Sequence, residues 1–465
     1  MNESELAKHI GSLNLHPHQS MFAIEVLQSE TPALFSLTSP PGSGATTTAF
    51  GIVNAGISCQ MLRRVLYLSS FKALTMFAAS RLREMSLNVP VVEVDRDFLI
   101  ERESLNDKDF WPEHGIFVSS IADAERSRFE SRFLLCHWDL VIIDEESNAT
   151  FDGPNKRLLQ KLSDAEPARL VVLGRNPNRE ELRNRLQESE NSTFAKRRIT
   201  RISWYQDKPK ENRLTAETRG EVHWEIREYS LTQEEKEFFE ILKTIVSEID
   251  SHTTSKVRMS ETILKRAMSC LFSLENTLLR LDGKIEDHIP LSPSIGAIAG
   301  DYRPTKHFFV PCLEKLDEIS VDSKSNALVE LLLEKDGKKV CVISQFADTI
   351  KFLDARMQEV YGPAPLTLYA ELTSEEIEQR IHTLKTANPQ LILTTDAALR
   401  GIELSPDIVV HYDIPYRPEL LELRIARFRR PGIANPVRMV ALVEEASVLK
   451  NLWVKQLEIA RALDE

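Results

Sequence analysis

Short apolar runs spaced by helix-like stretches set the strongest limit on what this chain can fold into. In the first 205 residues the runs read ALFSLTS, RRVLYLSS, GIFVSS, DLVIIDE and ARLVVLG. Runs of this length, rich in Val, Ile and Leu, are the mark of strands buried in a parallel sheet with helices over its faces. Residues 305–465 return to the same pattern with KKVCVIS, LTLYAE, PQLILTT, DIVVHYD and VRMVALV. Between the two blocks, LTQEEKEFFEILKTIVSEI and ETILKRAMSCLFSLENTLLRL place apolar residues three and four apart, as amphipathic helices do. The stretch DGKIEDHIPLSPSIGAIAGDYRP reads as an irregular connector. The expected organisation is an α/β lobe over 1–205, a helical insertion and linker over 206–304, and a second α/β lobe over 305–465 that ends in the helix VLKNLWVKQLEIARALDE. The segment IADAERSRFESRF is expected as the helix between GIFVSS and DLVIIDE.

Composition narrows the class. With 42% hydrophobic and 28% charged residues, the 465-residue chain reads as an ordinary folded, soluble one. It has no apolar run of about 18 residues, so no membrane span is expected, and its first residues, MNESELAKHIGS, do not read as a secretory signal. A cytoplasmic or nucleoid-associated protein is expected. Five cysteines, Cys59, Cys136, Cys270, Cys312 and Cys341, are scattered without a C-x-x-C pair, against both a disulfide framework and zinc. Cys136 and Cys341, in or beside apolar runs, are expected as buried thiols, and Trp138 as a core anchor. A net charge of −12 argues against nonspecific coating of nucleic acid but leaves room for a localised basic cleft.

Three stretches carry chemistry. SPPGSGATTTAF, from Ser39 to Phe50, stands between a strand and a helix, the setting a phosphate loop requires. Gly42, Ser43 and Gly44 let the backbone approach a phosphate, and the following helix aims free amides at the anion. Thr46 stands where a hydroxyl meets Mg²⁺, but Ala45 stands where a lysine reaches the β- and γ-phosphates. Taken alone, the stretch is equally a plain glycine turn. In HWDLVIIDEES, Asp144 and Glu145 end an apolar strand, where Asp144 suits a metal held through water and Glu145 an attacking water. The same pair also suits a simple helix cap. Farther on, Arg424, Arg427 and Arg430 recur at three-residue spacing, as a helix face that meets phosphates or as a solvated basic face.

In sequence order these stretches resemble the two-lobed motor of superfamily-two helicases, most closely the Swi/Snf type with its bacterial members that act on RNA polymerase complexes. LNLHPHQ resembles the early adenine-side motif, with Gln19 as its glutamine. SPPGSGATT resembles the phosphate loop, and WDLVIIDEES the aspartate–glutamate motif. FAKRRITR resembles the basic run closing the first lobe, which makes Lys196, Arg197, Arg198 and Arg201 candidate nucleic-acid phosphate contacts. DSKSNALVELLLEKDGKKVCVISQFADTIKFLDARM resembles the opening of the second lobe. TTDAALRGIELSPDIVVHYDIPYRPELLELRIARFRRPG resembles the last two motifs, with Arg427 and Arg430 as the paired arginines. The resemblance covers most of the chain. It implies two RecA-like lobes, with ATP and Mg²⁺ between them in active members, and duplex nucleic acid running across both.

The departures bear on activity. Besides Ala45, Glu146 and Ser147 replace the alanine and histidine usual after the acidic pair. Gly174, Arg175, Asn176 and Pro177 stand where the coupling Thr-Ala-Thr is expected. Ala426 replaces a glycine, and Arg400 takes a place usually acidic. Losing a preorganised cation at the phosphates costs several kcal/mol of transition-state stabilisation, or roughly a hundredfold or more in rate. A charge supplied by Arg175 is the one evident substitute. The resemblance therefore implies a helicase-like protein with weak or absent ATPase activity, acting on duplex DNA or a protein complex on DNA. The alternatives are an active DNA-dependent translocase and an inert interaction scaffold.

Overall fold

The structure, a computed structural model, describes residues 6, 9–10, 15, 17–38, 44–70, 72–85, 87–103, 110–125, 129–144, 161–162, 165, 167–174, 199–203, 221–252, 259–281, 308–320, 322–335, 337–361, 364–369, 371–399, 402, 404–415, 418–428, 435–445 and 454. The chain divides into two compact units. The first is Met1–Arg219 with Arg400–Glu403 and Ile425–Ala434; the second is Gly220–Leu399 with Leu404–Arg424 and Asn435–Glu465.

The first unit holds strands β1 (Ala33–Thr38), β2 (Arg64–Ser69), β3 (Val91–Val94), β4 (Gly115–Ser120), β5 (Leu140–Asp144), β6 (Arg169–Gly174) and β7 (Ile199–Ser203). Its helices are α1 (Pro17–Gln28), α2 (Ala45–Ser58), α3 (Lys72–Glu84), α4 (Arg96–Glu101), α5 (Ile121–Ala124) and α6 (Glu130–Leu135). All seven strands are parallel, in the order β3-β4-β2-β5-β6-β1-β7. Because side chains alternate along a strand, each strand feeds two cores. Phe35, Leu37, Val65, Tyr67, Ile142 and Val171 share one core with Phe22, Val26, Ile52 and Val53 of α1 and α2. Leu34, Leu66, Leu68, Val141, Ile143 and Val172 share the other with Trp111, Phe133 and Trp138. Trp138 is the expected anchor: it is buried, and its indole N–H donates to the Phe133 carbonyl at 2.8 Å. Where one helix was expected between β4 and β5, two short ones form.

The second unit holds β8 (Val222–Tyr229), β9 (Val340–Ser344), β10 (Leu366–Leu368), β11 (Leu391–Thr395), β12 (Ile408–His411) and β13 (Val437–Glu444), again all parallel, in the order β10-β11-β9-β12-β13-β8. Its helices are α7 (Gln233–His252), α8 (Met259–Ser269), α9 (Leu271–Leu281), α10 (Val310–Glu318), α11 (Ser323–Leu333), α12 (Ala347–Tyr361), α13 (Ser374–Ala387), α14 (Asp396–Leu399) and the part of α15 (Pro418–Phe428) up to Arg424, the rest of α15 belonging to the first unit. Helices α7 to α10 close a core of their own around Phe238, Leu242, Ile263, Leu274, Leu278, Phe309 and Leu313. The 206–304 stretch is thus not wholly helical: β8 pairs with β13 at the edge of the second sheet, and the helices that follow share their core with α10, past residue 304. The expected C-terminal helix lies outside the described residues, apart from residue 454.

All five cysteines are free. Burial pushes the Cys341 thiol up to about 12. Cys136 is half-buried rather than buried, with its thiol raised by burial to about 11. Among the described residues no helix is long and apolar enough to cross a membrane.

Candidate functional site

In a parallel α/β sheet, ligands bind beyond the carboxyl ends of the strands. In the first unit Asp144 stands at the end of β5, and Gly44 stands at the start of α2. Helix α2 starts at Ala45 because Gly44 turns the chain with a φ of +91°, a conformation that favours glycine. A Cβ at residue 44 would also lie only 2.6 Å from Nε2 of Gln19. Gln19 comes from α1, is buried, and donates from Nε2 to the Gly44 carbonyl at 3.3 Å. Gly44 gives α2 no side-chain cap, while the Thr48 amide and hydroxyl both donate to the Gly44 carbonyl at 2.9 Å. The first-turn amides of a helix have no partner within it and carry its positive dipole end, which suits an anion.

Thr46, in the first turn of α2, donates its hydroxyl to Oδ2 of Asp144 at 2.8 Å. Asp144 is only 2% exposed. Its carboxylate would be costly to bury without donors. A second donor comes from a residue the sequence reading passed over. The Tyr67 hydroxyl, in mid-β2, donates to the same Oδ2. Tyr67 is fully buried, and its ring stacks on Phe50 of α2 at 5.9 Å between centroids. The signal was present in the sequence as a phenol inside an apolar run, one strand away from the acidic one. In RVLYLS it reads as core, and its ring is core.

Thr46 and Asp144 are oxygen donors of the kind Mg²⁺ takes. Oδ2 of Asp144 accepts from both hydroxyls, those of Thr46 and Tyr67, an arrangement compatible with a magnesium ion. Position 45 is what sets the described residues apart from an active phosphate site. Ala45 is half-buried against the α1–α2 core and offers no cation. Among the described residues no group of three or more His, Cys, Asp or Glu side chains is placed to hold a metal.

The structure therefore brings together Gln19, Gly44, Thr46 and Asp144, with Ala45 beside them. Gly42, Ser43, Glu145, Glu146, Ser147 and Arg175 lie outside the described residues, as do Lys196, Arg197, Arg198, Arg400 and Arg430. Arg201 sits in β7, in register with Ser36 of β1. Arg427 lies in the last turn of α15 and is half-buried.

Arg424 does not lie on the outward basic face expected for it. It is 1% exposed and turned into its own lobe. Its Nε and Nη2 donate to the two Asp396 oxygens at 2.5 and 2.7 Å, its Nη1 to the Asp413 carbonyl at 2.6 Å, and its Nη2 to Oδ1 of Asp413 at 3.2 Å. Burial pulls the guanidinium pKa down, but Asp396 and Asp413 more than offset it and hold the group charged. Asp413 also accepts from the hydroxyls of Ser269 at 2.8 Å and Ser344 at 2.5 Å, and from the Gln345 amide at 3.0 Å. Nearby, Lys324 donates to the Met268 carbonyl at 2.6 Å and lies 4.6 Å from the centre of the Tyr412 ring; burial lowers its pKa to about 8.

Residues 323–432 match the helicase conserved C-terminal domain, and the two all-parallel sheets have the fold of two RecA-like lobes. In fold the chain is similar to a variant of S. cerevisiae Dbp5 bound to RNA and ADP BeF3, with a TM-score of 0.56 at 12% identity over 96% of this chain and 91% of that one. In sequence the chain is similar to the RNA polymerase-associated protein RapA of Vibrio cholerae serotype O1, at 22% identity over 95% of this chain and 49% of RapA. RapA of Vibrio vulnificus is 21% identical over 90% of this chain and 46% of its own length. The chain spans about half the length of the curated relatives it matches.

Proposed function

We propose that this chain is a Swi/Snf-type helicase-like protein that engages duplex DNA, or a polymerase complex on DNA, and hydrolyses ATP weakly or not at all. One observation carries the second half of the reading. Ala45 occupies the first position of α2, directly after Gly44, and its side chain rests on the core where a phosphate-directed cation is needed. Without that cation the rate falls by roughly a hundredfold or more. The α2 amides still suit a nucleotide phosphate, so binding outlasts turnover in this reading. The first half is supported by the order of the family-like motifs and by similarity to RapA, a protein described as RNA polymerase-associated.

The retained Thr46–Asp144 contact is the observation that favours an active translocase instead. ATP turnover with and without duplex DNA, in the natural chain and in Glu145→Gln, separates the readings. The expected result is a rate near background in both proteins, with duplex DNA and nucleotide still bound. A DNA-stimulated rate lost in Glu145→Gln would establish the translocase. Binding to neither DNA nor nucleotide would leave a scaffold.

A further inference from the structure

We propose that a cavity within the second unit binds a small monocarboxylate, of acetate to propionate size, with Lys324 as its anchor. The cavity, of about 30 Å³, lies where the carboxyl ends of β8, β9, β12 and β13 meet α8 and α11. Its wall offers a ligand unused donors. Lys324 is 7% exposed and donates to the carbonyls of Met268 at 2.6 Å and Ser269 at 3.4 Å. An ammonium has three protons, and the third meets no oxygen acceptor among the described residues. The Gln345 side-chain amide and the Tyr229 hydroxyl, on the same wall, also have no hydrogen-bond partner among the described residues. Burial, with Asp322, Glu444 and Glu235 nearby, raises the Tyr229 pKa, so the phenol keeps its proton and can donate.

Asp413, the wall's buried acceptor, is already saturated. Its Oδ1 accepts from the Gln345 backbone amide and Arg424, and its Oδ2 from Ser269 and Ser344. Charge points the same way. Lys265 and Glu444 contribute one charge of each sign, and Asp413 is paired with Arg424, which leaves the ammonium of Lys324. A ligand must therefore bring acceptors and negative charge. Size then selects the group. One water takes about 10–15 Å³ of such space, so about 30 Å³ suits the two oxygens of a carboxylate rather than the four of a phosphate. Met268, Phe346 and Leu442 make part of the wall apolar, as a methyl or ethyl group requires. Because Lys324 also holds the last carbonyls of α8, the occupant sits on the seam between the helical insertion and the sheet.

The test follows the fluorine resonance of trifluoropropionate by NMR in the presence of the full chain. The natural protein is expected to broaden it saturably, and propionate to compete, while inorganic phosphate and propylammonium do not. A hydrogen bond to a charged group corresponds to about tenfold or more in affinity, so Lys324→Met is expected to bind at least about tenfold more weakly. Gln345→Leu, which keeps the ammonium and much of the side-chain volume, is expected to bind several-fold more weakly. Thermal melts verify that both variants fold, and Gln345→Leu decides alone where Lys324→Met does not.

No saturable binding by the natural protein overturns the proposal, as does unchanged affinity in either folded variant. Competition by phosphate or propylammonium as strong as by propionate overturns it too, since it would mark a contact that selects neither the size nor the charge of its ligand.

Discussion

Arg424→Met is the perturbation whose cost the structure specifies most closely. The substitution keeps much of the side-chain volume and removes a guanidinium that is 1% exposed and bonded to two carboxylates. Removing one partner of a buried ion pair costs about 3–5 kcal/mol, because the remaining charge is left buried. Here the lower end applies. The Asp396 side chain is 23% exposed and can recover water. Asp413 keeps donors from Ser269, Ser344 and the Gln345 amide. A loss of about 3 kcal/mol corresponds to roughly a hundredfold in the opening equilibrium of the second lobe. A two-lobed chain need not unfold in one step, so the assay is hydrogen exchange at the amides of β9, β11 and β12, which report that lobe directly. They are expected to exchange roughly a hundredfold faster in Arg424→Met. Adding Asp396→Asn removes one stranded charge and is expected to restore part of the protection. Acceleration below about tenfold would refute the argument that the pair is effectively desolvated.

Ala45→Lys is expected to tighten binding of an ATP analogue while leaving ATP turnover near background, as measured by phosphate release, because Glu146, Ser147 and the stretch from Gly174 to Pro177 depart from the family pattern as well. A rise of roughly a hundredfold would instead mark Ala45 as the one loss that matters. Lys324→Met tests a buried cation through pH. Burial lowers the Lys324 pKa from 10.5 to about 8, so between those values the unfolded chain binds more protons than the folded one. The natural protein should therefore gain stability relative to Lys324→Met as pH rises from about 8 to about 10.5, by up to about 3 kcal/mol, with no change in the difference below that window. Urea unfolding of both proteins at neutral and alkaline pH measures it, and a difference that stays flat across the window would sink the assignment.

The parallel strands that the sequence made legible are those with neighbours on both sides, together with the edge strand β10. The ones it missed, β3, β7 and β8, all lie at sheet edges. Val222–Tyr229 shows why. VHWEIREY carries charges on a strand with a single neighbour, and every residue in it is at least partly exposed, so it lacks the continuous apolar run that marked β5 or β9. Arg424 was misplaced for a different reason. Counting arginines three apart assigned all three to one outward face, whereas Arg424 also lies three residues after Leu421 and four before Phe428, both buried. On a helix those spacings share a side, so the apolar pattern carried the better signal. Asp396 and Asp413, which follow β11 and β12, supplied its counter-charges, but that pairing is a matter of three-dimensional proximity.

The same distinction explains why some family-like positions of the first lobe are in place and one is not. Thr46 satisfies a carboxylate only 2% exposed, and Gln19 bonds the carbonyl at which α2 begins. Replacing either by an apolar residue removes one hydrogen bond from an acceptor that keeps other donors, which costs about 1 kcal/mol whether or not a nucleotide is present. A lysine at position 45 has no such duty: its ammonium meets only the phosphate, and its loss leaves no protein group buried and unpaired. Ala45 even adds a methyl group to the α1–α2 core. Loss of phosphate chemistry at this site is therefore compatible with full stability of the lobe, provided something else donates to Asp144, and Tyr67 does.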